Sequence, residues 1–323
     1  MKLRHKFFVY FSVFISIIFY SYCFSEEIAA PSCVVVDAQT GKILYGKNPH
    51  IKLPPASTTK LVTAMVVLDR LDPEEKVVIS RNSAKTQSVP PRLMEGEVYK
   101  VRDLVYLALM KSINSAAVAL AEATAGSEQN FVKLMNIKVQ KIGAKDTRFV
   151  NSSGLPGKGQ YTTVYDLTKI MSQALNYSLI KDAINTRVYL VRSEDGRELF
   201  IHNTNQLLWS EDDMIGGKTG YTRKARHCFV SAYKIDGRLV YTAILGDSNR
   251  DKLWEDTQQL IAKAQNVISG KEDSMIKLSE ERQIIPVSYK LSNKIKKDRK
   301  KAIKKSKIKR LKNAKNYRKP IRT

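Results

Sequence analysis

The feature that most constrains this chain is where its strand-forming runs fall. Close pairs lie towards both ends, and long helix-forming stretches lie between them. Near the start, Pro31-Ser-Cys-Val-Val-Val-Asp37 and Lys42-Ile-Leu-Tyr-Gly46 flank Ala38-Gln-Thr-Gly41 and read as a hairpin. Near the end, Cys228–Tyr233 and Leu239–Leu245 flank Ile235-Asp-Gly237, a turn short enough to require antiparallel pairing. A smaller pair, Val188–Val191 and Leu199–His202, flanks Glu194-Asp-Gly196, and a short strand stands at Lys76–Ile79. Helical spacing runs from Ser57 to about Leu71, then over Val101–Met110, Asn114–Ala125 and Phe131–Ile142, the last two stopped by Gly126 and Gly143. Thr163-Val-Tyr-Asp166 has the pattern of a capping box for a helix over Leu167–Leu175, and a last helix spans about Arg250 to Val267. This order predicts an α/β (α+β) fold, an antiparallel sheet whose first and last strands lie together, with a helical block.

The ends are compositionally distinct. Met1-Lys-Leu-Arg-His-Lys6 precedes an uncharged apolar stretch from Phe7 to Cys23, which reads as a secretory signal over 1–25 cleaved after Ser25. An uncleaved anchor is the alternative, and either way the remainder is exported. Residues 290–323 carry 17 Lys or Arg and one acid, Asp298, and so hold most of the net charge of +24. They cannot bury enough apolar surface to fold alone and read as a basic disordered tail behind a short connecting segment, 271–289, whose clearest apolar run is Ile284-Ile-Pro-Val287. Between them lies one domain, 26–270, nearly balanced in charge. After cleavage two cysteines remain, Cys33 and Cys228, both in apolar strand-like runs where cysteine serves as a small buried hydrophobe. His5, His50, His202 and His227 have no ligand spacing, which argues against a metal enzyme.

Ser57-Thr-Thr-Lys60 follows Pro54-Pro55 and opens an apolar run, placing Ser57 at a helix N-terminus with Lys60 one turn on. A serine hydroxyl is a weak nucleophile until a base takes its proton. A partly buried lysine near the positive end of a helix is pushed towards the neutral form that can act as that base. The bare pattern recurs at Ser178, Ser231, Ser274 and Ser306, so it gains weight only from its partners. One partner is Ser112-Ile-Asn114, at the junction of two predicted helices, where a hydroxyl and an amide can relay a proton and hold a peptide. Ser80-Arg-Asn82 has the same spacing but opens a polar loop. The other is Lys218-Thr219-Gly220, entering a strand and followed by Tyr221. Its cation and hydroxyl suit a carboxylate, and its glycine permits a close backbone approach.

In this order the three elements resemble those of the low-molecular-mass penicillin-binding proteins that are D-alanyl-D-alanine carboxypeptidases, within the penicillin-binding protein/β-lactamase superfamily. The likeness covers roughly residues 29–268 and includes Ala117-Val-Ala-Leu-Ala-Glu122, Phe149-Val-Asn to Leu155, Tyr161–Leu167 and His202-Asn-Thr-Asn205 to Trp209. It implies that Ser57 attacks the carbonyl between the terminal D-alanines of a peptidoglycan stem pentapeptide, with Lys60 as base. Ser112 would pass the proton to the leaving D-alanine, and Asn114 would bind the peptide. Lys218 and Thr219 would hold the terminal carboxylate, with Arg250 as a second contact. Backbone N–H groups of Ser57 and Tyr221 would form the oxyanion hole beside Gly220. No cofactor is implied, and β-lactams would be inhibitors.

Three positions depart from the family pattern: Ile113, Ser115 where many relatives have Asp, and Tyr221 in place of a frequent His. About 53 residues follow Gly270, too few and too polar for the β-rich second domain and amphipathic anchor that many relatives carry. A D,D-endopeptidase and a non-catalytic wall-binding protein are the alternatives. A β-lactamase lacks support because no extra acidic motif stands between 140 and 190. The tail suggests attraction to an anionic membrane surface or wall polymer, and export argues against nucleic acid as a partner.

Overall fold

The computed structural model describes residues 28–278; the signal over 1–25, the Ile284–Val287 run and the tail 290–323 lie outside them. The strands in chain order are β1 (Ser32–Asp37), β2 (Ile43–Lys47), β3 (Lys76–Val78), β4 (Val98–Lys100), β5 (Val188–Arg192), β6 (Glu198–His202), β7 (Met214–Thr222), β8 (Arg226–Ile235), β9 (Arg238–Asp247) and β10 (Met275–Lys277). The helices are α1 (Lys60–Leu68), α2 (Arg81–Lys85), α3 (Val101–Leu109), α4 (Asn114–Ala125), α5 (Glu128–Lys141), α6 (Val164–Ala174), α7 (Ser178–Asn185) and α8 (Arg250–Ile268).

Six strands make the main sheet in the order β10-β2-β1-β9-β8-β7. The first and last long strands are neighbours, as the sequence pattern predicts: β1 pairs antiparallel with β9, Ser32 opposite Leu245 and Val36 opposite Tyr241. The Cys33-Val-Val-Val36 run is apolar without alternation because both faces of β1 are covered. Val34 and Val36 face a core shared with α1 and α3 to α7, while Cys33 and Val35 face a second core capped by α8. Both cysteines are free and buried, and burial pushes each thiol up to about 12. The β8–β9 hairpin turns on Asp236 and Gly237, both at positive φ, the two-residue geometry that a right-twisted antiparallel pair favours.

The structure adds to and adjusts the sequence reading. Strand β10 lies within the stretch read as a connecting segment and pairs parallel with β2. Two helices were not anticipated, the short polar α2 and α7. Helix α1 stops at Leu68, three residues early, with Asp69 as its C-cap. Only half of the capping box forms before α6. Thr163 accepts a hydrogen bond from the Asp166 N–H, but the Asp166 carboxylate turns away to accept from Asp146 N and Thr147 Oγ1. That carboxylate ties a loop to the helix instead of closing its own cap. Among the described residues no helix is long and apolar enough to cross a membrane.

Beneath α8 lies a pair of buried acids. Asp247 is 0 % exposed and Asp256 is 1 % exposed. Asp256 accepts from the Ala30 N–H at 2.8 Å, and one oxygen of each carboxylate has no partner. Burial, reinforced by the neighbouring Asp256, lifts the Asp247 carboxyl from 3.8 to about 6. Native Asp247 thus takes up a proton at higher pH than the unfolded chain, and its buried charge weakens the fold most once the pH passes that folded value. Asp247→Asn is therefore expected to melt above wild type near pH 7 and to converge with it only below about pH 4, where the native and the unfolded carboxyl are both protonated. Paired thermal melts across that range check this, and a pH-independent offset would refute it.

Candidate active site

Pro54-Pro55 leads into a 3-10 turn, Ala56–Thr59, that runs directly into α1. Ser57 sits in this turn and Lys60 begins the α-helix, so one turn separates them and both face inward. Ala56, just before the serine, is held at φ 47, a left-handed conformation that costs about 1–3 kcal/mol for a residue with a Cβ. Ser112, between α3 and α4, has φ 65 and carries similar strain. Such backbone persists only where the surroundings over-determine it.

Lys60 is 0 % exposed, and its Nζ lies 2.9 Å from Ser57 Oγ, 2.6 Å from Asn114 Oδ1 and 2.5 Å from the Ser153 carbonyl oxygen. Desolvation, followed by the nearby charge of Lys218, holds the amine well below the usual lysine range. Lys218 is also 0 % exposed; burial pushes it down to about 7. Its Nζ donates to Ser112 Oγ at 3.1 Å and to the Thr219 carbonyl at 2.9 Å. The structure thus gathers Ser57, Lys60, Ser112, Asn114 and Lys218 around two buried amines.

Asn114 is fully engaged in this state. Its Oδ1 accepts from Lys60, its Nδ2 donates to the Gln87 carbonyl at 2.7 Å, and its N–H donates to Ser88 Oγ at 2.8 Å. The competing Ser80-Arg-Asn82 match is accounted for elsewhere. Ser80 caps α2, and both Ser80 and Asn82 donate to the Glu122 carboxylate.

Lys218, Thr219 and Gly220 do not merely enter a strand: they lie in the middle of nine-residue β7, at the sheet edge. Gly220 is needed for an approach within the protein. A Cβ there would lie 2.8 Å from Ser57 N and 3.0 Å from the Ala56 methyl. β7 therefore lies flat against the turn that carries Ser57. A cleft of about 530 Å³ opens between this edge, the start of α4 and the start of α8. Ser57, Ser112, Asn114, Thr219, Gly220, Tyr221 and Arg250 all line it. Thr219 Oγ1 is 2.6 Å from Thr204 Oγ1, and Arg250 donates to the Thr204 carbonyl at 2.9 Å.

Sequence reasoning missed several participants. Ser153 contributes only a backbone oxygen, which no side-chain motif can announce. The loop carrying it is fixed by Glu128, which accepts from Ser152 N and Ser152 Oγ, and by Thr63 Oγ1, which donates to the Ser152 carbonyl. Thr204, His227, Leu253 and Trp254 line the cleft as well. His227 stacks obliquely on its cross-strand partner Tyr221, ring centroids 4.5 Å apart, and burial with the Arg250 charge lowers its pKa. Among the described residues no group of three or more His, Cys, Asp or Glu is placed to hold a metal ion.

A buried amine with a lowered pKa, 2.9 Å from a serine hydroxyl that lines a cleft together with Lys111 and Arg250, is chemistry for serine enzymes that pass through an acyl intermediate. Residues 22–249 match the family described as D-alanyl-D-alanine carboxypeptidase, and the chain belongs to that family. It is 33% identical over 224 residues to the D-alanyl-D-alanine carboxypeptidase DacF of Bacillus subtilis, covering 68% of this chain and 58% of that protein. It is 35% identical over 250 residues to a D-alanyl-D-alanine endopeptidase of Pseudomonas aeruginosa, covering 73% of this chain and 80% of that one. The crystal structure of a D-alanyl-D-alanine carboxypeptidase from Mycobacterium tuberculosis superposes with a TM-score of 0.69 at 31% identity, over 73% of this chain and 90% of the other. The fold is thus that of the penicillin-binding proteins, with the sheet and helical block predicted from sequence.

Gly220→Ala tests the packing of β7 on the turn. The new methyl must displace Ser57 N or the Ala56 side chain, moving the Ser57 hydroxyl and N–H together. Acylation by a fluorescent penicillin is expected to slow by about 10²-fold, the scale of losing one oxyanion donor, while the far-ultraviolet circular dichroism stays unchanged.

Proposed function

We propose that this protein is an exported serine D,D-carboxypeptidase that removes the terminal D-alanine from peptidoglycan stem pentapeptides and is acylated by β-lactams. The observation that carries this reading is the Lys60 amine, fully buried and 2.9 Å from Ser57 Oγ. A neutral amine has two N–H bonds and one lone pair. Asn114 Oδ1 and the Ser153 carbonyl can take the two N–H bonds, leaving the lone pair for the Ser57 proton. Ser57 Oγ then adds to the scissile carbonyl, and the N–H groups of Ser57 and Tyr221 stabilise the oxyanion. Ser112, bonded to Lys218, relays the proton that Lys60 took from Ser57 to the departing D-alanine nitrogen. Thr219 and Arg250, which line the cleft, would hold the terminal carboxylate, with the buried Lys218 amine behind Thr219 adding its charge. Water attacks the Ser57 ester and frees the shortened peptide.

A second reading, D,D-endopeptidase cleavage of cross-links, is favoured by the higher identity and greater coverage of the Pseudomonas endopeptidase. The same residues would serve, with a cross-linking peptide in place of the leaving D-alanine. The purified protein separates the two: release of free D-alanine from a pentapeptide supports the first, and cleavage of a cross-linked dimer without such release supports the second.

In either case Ser57→Ala is expected to abolish labelling by a fluorescent penicillin, and retained labelling would assign the nucleophile elsewhere. The Lys218 charge also leaves a kinetic signature. Because that charge lowers Lys60, Lys218→Met should let Lys60 hold its proton to higher pH. The acidic limb of the kcat/KM profile for penicillin acylation is expected to move up in pH, and an unmoved limb would show that the Lys218 charge does not set the titration of the base.

A further inference from the structure

Behind the catalytic cleft lies a second cavity, of about 340 Å³, between α2, the segment Thr86–Leu93 and the N-terminal end of α4. We propose that this pocket binds a carboxylate, independently of the reaction assigned to Ser57. Lys85 and Arg92 line it, no acidic side chain does, and among the described residues neither cation has an ion-pair partner. Ser115 lines it too. This side chain is 2 % exposed, and its hydroxyl has no hydrogen-bond partner. A buried donor left unmade is costly and is rarely tolerated in a native interior. Turned towards the pocket by rotation of its side chain, the Ser115 hydroxyl would donate to a ligand oxygen there.

The local field agrees with the donor set. Ser115 is in the first turn of a 12-residue helix, where the unsatisfied end of the macrodipole favours negative charge. A planar carboxylate can take a paired contact from the Arg92 guanidinium while leaving its second lone pairs to Ser115 and Lys85. Because both cations are solvent-exposed, the affinity should be modest and screened by salt. The pocket also shares a wall with the active site. Ser88 and Gln87 line it, and from the other side Ser88 Oγ and the Gln87 carbonyl accept from Asn114.

The test is a calorimetric titration of the full chain with sodium succinate at constant ionic strength, with sodium phosphate and an Asp–Glu dipeptide as parallel arms. Wild type is expected to bind succinate with a Kd on the order of millimolar, weakened about tenfold by Lys85→Ala or Arg92→Ala. Ser115→Asp places a carboxylate of the protein's own in the pocket and is expected to eliminate binding while circular dichroism confirms the fold. Ser57→Ala, which removes no cation, is expected to bind succinate as wild type does, so a failed peptidase assignment and a failed pocket give different results. Tighter binding of the dipeptide identifies an acidic peptide as the source of the carboxylate, and equal binding identifies a free small acid. No saturable succinate binding, binding of phosphate alone, or loss in Arg250→Ala with retention in Lys85→Ala would each overturn the proposal.

Discussion

The nitrogen of Lys60 is the point on which the rest of the site depends. Three chain segments distant in sequence each present one oxygen to it: the 3-10 turn through Ser57, the start of α4 through Asn114, and the loop before α6 through Ser153. None of these can move far without leaving a buried polar atom unpaired. The supports behind them are hydrogen bonds of the same kind. Glu128 on α5 fixes Ser152, Asn151 Oδ1 accepts from Gly154 N, and Ser88 with Gln87 orients Asn114. Positioning a single amine thus organises much of the helical block.

That arrangement is expensive. Holding Lys218 at about 7 instead of 10.5 corresponds to roughly 5 kcal/mol at neutral pH, comparable with the net stability of many domains. Lys60 is buried to the same extent and is likewise held well below its usual range. The offsetting burial lies on both faces of the sheet. One core joins β1, β8 and β9 to the helical block, and the other seats α8 on Cys33, Val35, Phe229 and Ile244. A sheet covered on one side only would have little surplus with which to keep two amines dry. The second layer, far from Ser57, is part of what makes two buried amines sustainable.

How much of this was legible in the sequence follows from where the information resides. The β1 run and the Asp236-Gly237 turn announce themselves because burial on two faces demands an unbroken apolar strand and positive φ demands those residue types. The three motifs were legible because their chemistry needs particular side chains in a particular order. Gly216-Gly217, by contrast, argues against a strand by propensity, and the strand therefore reads as starting too late. The structure supplies the reason: a Cβ on Gly217 would lie 2.6 Å from the Phe229 ring and one on Gly216 would lie 2.7 Å from Ile184. Those contacts join residues that are neighbours only after folding. The same applies to the Ser153 oxygen and to Glu128, whose roles follow from where the folded backbone places them.

Ala56 shows how the site holds its own strain. Its φ of 47 turns the chain so that Ser57 and its N–H face the cleft, yet an alanine would relax from this conformation if space allowed. Space does not allow it. Gly154, itself at φ 82, packs so closely that a Cβ there would lie 1.9 Å from the Ala56 carbonyl oxygen. From the other side Gly220 meets the Ala56 methyl. The two glycines therefore act as a matched pair, one against the carbonyl and one against the side chain. The strained residue must keep its Cβ, because that methyl is the surface on which β7 rests. A glycine at position 56 would ease the strain and remove the contact that sets the distance between the strand and Ser57.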